Sequence, residues 1–162
     1  MKEGRNLENL NIYESMAERT GGDIYIGVVG PVRTGKSTFI KRFMDIMVLP
    51  GMEEGPLKSQ IVDELPQSGT GRTITTTEPK FIPASAAELR LSDNSRFKVR
   101  MVDCIGYMVK NALGHMEGDL PRMLSTPWQE EKIPFAQAAE IGTRKVIADH
   151  STIGVLVTTD GS

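Results

Sequence analysis

Residues 23–37 read DIYIGVVGPVRTGKS. The first seven form a short, β-rich apolar run that meets a glycine-containing turn, the pattern of a buried strand feeding a loop. In that turn Gly30, four further residues and then Gly35-Lys36-Ser37 match the spacing G-x-x-x-x-G-K-[ST] in full. Glycines let backbone N–H groups curl around a β-phosphate, Lys36 reaches the β and γ oxygens, and the Ser37 hydroxyl can ligate Mg²⁺. The expected nucleotide-binding residues are therefore Gly30, Arg33, Thr34, Gly35, Lys36, Ser37 and Thr38. A helix starting at Lys36 would point its positive dipole end at the same anion.

Working outward, Phe39, Ile40, Phe43, Met44 and Met47 share one face of that helix, and Pro50-Gly51 ends it. The segment from Gly51 to Gly71 is rich in Gly, Pro, Ser and acidic residues and reads as a mobile functional loop. ELRLS and RFKVRMVDC flank the turn residues 92–95 and predict an antiparallel hairpin. In its second arm Phe97, Val99 and Met101 alternate with Lys98 and Arg100, giving one buried and one wet face. A long Gly- and Pro-containing stretch then runs to Trp128. A helix follows from Pro134, with Phe135, Ala138, Ala139, Gly142 and Val146 at helical spacing, and STIGVLVTT reads as a last buried strand. Residues 1–22 read as an N-terminal arm, and 23–162 as the nucleotide domain.

Asp103 ends an apolar strand and opens D-x-x-G with Gly106. Such a carboxylate can hold the water shell of Mg²⁺, while the Gly106 N–H meets a γ-phosphate oxygen. Between the two motifs lies GRTITTTEPKF. A threonine on a closing loop there would give a hydroxyl to the metal and an N–H to the γ-phosphate. Thr75, Thr76 and Thr77 are all eligible, and Thr76-Thr77, beside the strand EPKF, are preferred. The expected metal ligands are Ser37, Thr76 and Asp103, and the expected catalytic set is Lys36, Asp103, Thr76, Thr77 and Arg33.

Composition limits the partners. The 162 residues are 39% hydrophobic and 25% charged, with 19 basic against 21 acidic side chains and a formal net charge of −2. That balance gives no global field for nucleic acid or anionic lipid, so no nucleic-acid partner is expected. No apolar run approaches the roughly 18 residues needed to span a bilayer, and the polar start is no signal peptide. The single cysteine, Cys104, fits a reducing compartment, and the expected location is cytoplasmic.

The order loop, helix, threonine loop, antiparallel hairpin, D-x-x-G, helix, strand resembles the Ras-like GTPase class of P-loop NTPases, an α/β three-layer fold, through its first four strands. The base-reading N-K-x-D motif of that class is not reached before Ser162, so base identity is not legible, and the domain is expected to be incomplete, its last strand leaving an open apolar sheet edge. Two positions depart from the class. Tyr107 stands where many such enzymes carry a water-orienting glutamine, which implies slow hydrolysis. Arg33 stands where potassium-activated relatives carry a cation-binding asparagine, and its guanidinium could supply transition-state charge in cis. Solvent exposure or an ion pair is the equal alternative for Arg33.

The runs IYESMAERTGGDIYIGVVGPVRTGKSTFIKRFM, DELPQSGTGRTITTTEPKF, RMVDCIGY, TPWQEE and IPFAQAAEIGTRKVIADHSTIGVLVTTDGS are similar to the N-terminal ATPase domain of the stage IV sporulation protein A family. The resemblance implies ATP rather than GTP, with Mg²⁺, and hydrolysis that drives self-assembly into a homopolymer, the basement layer of the bacterial spore coat. It implies the mother-cell cytoplasm at the forespore surface, coat proteins and a membrane-bound anchoring protein as partners, and further domains. It assigns Lys36 and Ser37 to phosphate and Mg²⁺, Asp103 to the Walker B-type carboxylate, and Thr76 and Thr77 to sensing the γ-phosphate. A switch GTPase and a non-hydrolysing structural module are the alternatives. His115 and His150 read as surface residues, Cys104 as small buried packing, Trp128 as core or interface anchor, and Arg144 and Lys145 as a solvated helix face.

Overall fold

The computed structural model describes residues 22–66, 78–90, 96–109, 116–117 and 120–159. Strand β1, Asp23–Val29, feeds the loop before helix α1, Lys36–Phe43. That helix continues through a π-helical turn, Met44–Val48, and a 3₁₀ turn, Leu49–Gly51, so the expected stop at Pro50-Gly51 holds. Helix α2, Pro56–Glu64, precedes strands β2, Lys80–Arg90, and β3, Arg96–Asp103. Two short hairpins follow: β4, Met116–Glu117, with β5, Leu120–Pro121, and β6, Met123–Thr126, with β7, Gln129–Pro134. Helix α3, Phe135–Asp149, and strand β8, Ile153–Leu156, complete the order.

The main sheet has the order β2-β3-β1-β8, with β1 parallel to β3 and β8, and β2 antiparallel to β3. This is a mixed α/β sheet in which one strand, β2, runs against three parallel ones. The expected hairpin is longer than ELRLS implied: EPKF and ELRLS merge into one strand, bulged between Ile82 and Ala87. At the bulge the ladder loses register, and the Ala84 N–H donates instead to Glu64 Oε2 of α2 at 2.8 Å. An otherwise unpaired backbone donor is thereby satisfied.

Side chains alternate across β1. Val28 joins Ile40, Met44, Val48, Ile61, Ile82 and Met101 on one face, under α1 and α2. Val29 joins Val102, Cys104 and Val146 on the other, under α3. Helices thus cover both faces. Ile40, Met44 and Val48 are fully buried and sit four residues apart, so the stripe facing the sheet is narrower than the expected one. Phe39 and Met47 are 37% and 41% exposed, on the flank. Each fully buried aliphatic side chain of this kind stabilises the fold by about 1.5–3 kcal/mol.

Three expectations are corrected. The Gly51–Gly71 stretch is not a continuous loop: Gly55-Pro56 starts α2, and Ile61, with Leu65 just beyond its end, enters the core. Pro is pre-organised for the first helical position, and Leu57, Ile61 and Leu65 recur every four residues, a signal that the polar composition masked. Strand β8 is not the buried strand its composition suggests but lies at the sheet edge, as the expected open apolar edge requires, with Ile153 and Leu156 42% and 63% exposed. The stretch before Trp128 contains hairpins, and Trp128 sits half-buried in the β6–β7 turn with Lys145 Nζ 5.6 Å from its ring centroid. By contrast, Phe135, Ala138, Ala139, Gly142 and Val146 are all buried on α3 as their spacing requires. His150 is half-buried, its ring edge-on to Phe81 at 5.6 Å.

Candidate functional site

The C-terminal ends of β1 and β3 lie side by side, Val28 opposite Asp103, and each strand leads directly into a loop. The two loops are tied together. Tyr107 N–H donates to the Gly30 carbonyl at 3.2 Å, and Val32 N–H donates to the Tyr107 carbonyl at 3.0 Å. Sequence motifs 66 residues apart thus share one site, with Ser37 Oγ donating to Asp103 Oδ2 at 2.8 Å.

Helix α1 starts at Lys36 after Gly35 in the left-handed region, and its first backbone bond runs from Phe39 N–H to the Gly35 carbonyl at 2.8 Å. No side chain caps its N-terminus and no acidic residue stands in its first turn. The first amides of the helix and its positive dipole end are therefore directed at the loop, a placement that favours an anion.

Lys36 is 5% exposed, and its Nζ donates to the Pro31 carbonyl at 2.6 Å. Burial pushes the Lys36 ammonium below the ordinary lysine range, with Cys104 and Asp103 partly countering it. Burial pushes the Asp103 carboxyl above its ordinary value, opposed by the Ser37 hydroxyl and by Lys36. Asp103 Oδ1 is buried and has no hydrogen-bond partner among the described residues. An ammonium and a carboxylate, each held against its own desolvation cost, make a site incomplete without further charge. A hydroxyl beside a carboxylate with one unpaired oxygen is a hard-oxygen donor set, suited to a cation that keeps most of its ligands as water or phosphate. Among the described residues no group of three or more His, Cys, Asp and Glu could hold a metal unaided.

Gly106 adopts φ +92°, and a Cβ there would run into Lys36 Nζ and the Gly30 carbonyl oxygen. Only a glycine leaves room for the lysine. Thr34 Oγ1 donates to the Pro31 carbonyl at 2.9 Å, bracing the loop, while Thr38 points outward and is exposed. Arg33 is exposed with φ 62° and pairs with no carboxylate among the described residues. Thr75, Thr76 and Thr77 lie outside the described residues, as do His115 and residues 1–21 of the N-terminal stretch. Cys104 packs as a small buried group, its thiol 3.5 Å from the Val28 carbonyl, and burial pushes the thiol up, away from reactivity. Arg144 is solvated, its side chain 80% exposed. Sequence reasoning missed the Lys36–Pro31 contact and the Tyr107–loop pairing, for which the sequence carries no signal.

Fold and site together define a mixed α/β domain with a glycine loop and a helix N-terminus placed to favour an anion. The family model described as "Stage IV sporulation protein A, ATPase domain" matches residues 7–162. The chain belongs to the stage IV sporulation protein A family. It is 60% identical over 154 residues to a protein named "Stage IV sporulation protein A" from Clostridioides difficile (strain 630), covering 95% of this chain and 31% of that one. Proteins of the same name from Bacillus subtilis (strain 168) and Bacillus anthracis are 57% and 56% identical over 156 residues, each covering 96% of this chain and 32% of theirs. The chain thus spans about a third of the length of these relatives. No solved structure matches it. Among the described residues no helix is long and apolar enough to cross a membrane.

Proposed function

We propose that this chain is a P-loop NTPase domain of Ras-like arrangement that binds ATP with Mg²⁺ and hydrolyses it, and that hydrolysis drives self-assembly into the basement layer of the bacterial spore coat. The observation that carries the reading is Lys36: a buried ammonium in a glycine loop, one residue from the Ser37–Asp103 pair, at the end of the central strand. Strand order β2-β3-β1-β8, with β2 alone antiparallel, supports the Ras-like arrangement. The ATPase description of the family model favours adenine, and the relatives' name favours sporulation.

In this reading Lys36 holds the β- and γ-phosphates together with the amides of α1's first turn. Ser37 and Asp103, with its unpaired oxygen, would hold Mg²⁺ and its water shell. Held there, the metal would neutralise phosphate charge as it develops. The Gly106 amide contacts the γ-phosphate, and Thr76 and Thr77 sense it. The domain works in the mother-cell cytoplasm on the forespore surface, with coat proteins and a membrane-bound anchoring protein as partners.

Sedimentation of the intact protein with ATP, GTP and a non-hydrolysable ATP analogue tests this. Pelleting with ATP alone is expected. Guanine preference without a polymer would replace the reading with a switch GTPase, and equal assembly with the analogue would replace it with a structural module. Arg33, exposed at the loop tip, is proposed to lend charge to the transition state. Its truncation, Arg33→Ala, is expected to lower kcat about tenfold or more at saturating ATP. Turnover equal to wild type would remove Arg33 from the mechanism.

A further inference from the structure

Hydrolysis of a terminal phosphate needs a water held in line with the bond that breaks. Tyr107, the residue after Gly106, has no carboxamide for that task, and both its backbone groups are committed to the Gly30–Val32 turn. Tyr107 lines a cavity of about 460 Å³ whose other walls are Met108 and, on α3, Ala136, Gln137, Glu140 and Thr143. Gly106, against which Lys36 Nζ packs, immediately precedes Tyr107, one wall of this cavity.

Three of its polar groups can be sorted by chemistry. The Thr143 hydroxyl is engaged, donating to the Ala139 carbonyl at 2.9 Å. Glu140 leans toward Arg144, Oε1 3.9 Å from Nη2, and its carboxylate would be repelled by a phosphate. Gln137 is neutral, exposed, and makes no hydrogen bond to another described residue. Its carboxamide can accept from a water with Oε1 and donate with Nε2, as a water placed between a protein and an anion requires.

We propose that Gln137 positions the attacking water, so that the carboxamide missing after D-x-x-G is delivered from α3. The assignment rests on the ATPase reading above. In the step it serves, the water oxygen forms a bond to Pγ as the bond from Pγ to the β–γ bridging oxygen breaks. ADP leaves with the electron pair, and the water's proton passes to a phosphate oxygen. Gln137 gives up no proton and holds the water's orientation.

The test uses the intact protein as wild type, Gln137→Ala and Glu140→Gln. Expected for Gln137→Ala are a kcat at least about tenfold lower, unchanged KM and melting temperature, and unchanged ADP affinity by calorimetry. Affinity for ADP with magnesium and aluminium fluoride, which stands in for the phosphoryl group in transfer, should fall by a similar factor, while Glu140→Gln stays within about twofold of wild type. Unchanged kcat in Gln137→Ala, with normal ADP binding, overturns this assignment and leaves the ATPase reading intact. A parallel loss of ADP affinity or melting temperature also overturns it, by making the role structural. Wild-type protein that binds no ADP overturns both.

Discussion

Lys36→Met is expected to weaken ATP binding by roughly 100-fold or more while leaving the nucleotide-free protein as stable as wild type, or more stable. The first half follows from two charge-assisted hydrogen bonds to phosphate, each contributing about 1.5–3 kcal/mol, at about 1.4 kcal/mol per factor of ten. The second half follows from where the ammonium sits. It is 5% exposed, and its best partner is a neutral carbonyl. Methionine fills the same channel without a charge to desolvate, and the Pro31 carbonyl keeps its bond from Thr34. A pH series checks the cause. Burial lowers the Lys36 pKa in the folded state, so the unfolded chain binds more protons in the window between the folded value and 10.5. The penalty is full below that window and shrinks as pH rises through it. The stability advantage of Lys36→Met should therefore narrow at alkaline pH. A variant that loses ATP binding and melting temperature together at every pH would mean that Lys36 supports the fold rather than the ligand.

Much of this site is legible in the sequence because its parts are local. A strand, a glycine turn and a helix in immediate succession specify the loop, and D-x-x-G after an alternating strand specifies where the second loop begins. Phe135, Ala138, Ala139, Gly142 and Val146 disclose α3 for the same reason, since one face of one helix is written in fifteen consecutive residues. Strand β8 reads as buried from its composition and as an open edge from its place in the strand order, because four apolar residues in a row look the same at a sheet's centre and at its edge. What separates the two is how many neighbours the strand has, a property of topology rather than of composition. Helix α2 was hidden by its polar face. Gln137 went unnoticed since nothing in its neighbourhood of α3 marks it. The fold places that side chain in one cavity with Tyr107, whose backbone is tied to the phosphate loop.

Two glycines with nearly the same backbone angle should respond very differently to alanine. Gly35 has φ +91° and Gly106 φ +92°, so either substitution meets the left-handed penalty of about 1–2 kcal/mol. Around Gly35 a Cβ finds no atom within 4 Å, whereas at Gly106 it meets Lys36 Nζ and the Gly30 carbonyl oxygen. Lysine ends are flexible and could give way, but the carbonyl is held by the Tyr107 amide, and moving it opens the tie between the two loops. Gly106→Ala is therefore expected to lose about 3 kcal/mol or more of stability and about tenfold or more in ATP affinity, because Lys36 and the Gly30–Val32 turn shift together. Gly35→Ala should lose only the backbone cost. Urea unfolding of both variants alongside ATP calorimetry reads the difference. Equal losses at the two positions would show that the strain of the turn, not the close fit of Gly106 on Lys36, sets the requirement for glycine after Asp103. In that event the coupling between the phosphate loop and the D-x-x-G loop would run through the Tyr107 backbone bonds and the Ser37–Asp103 pair.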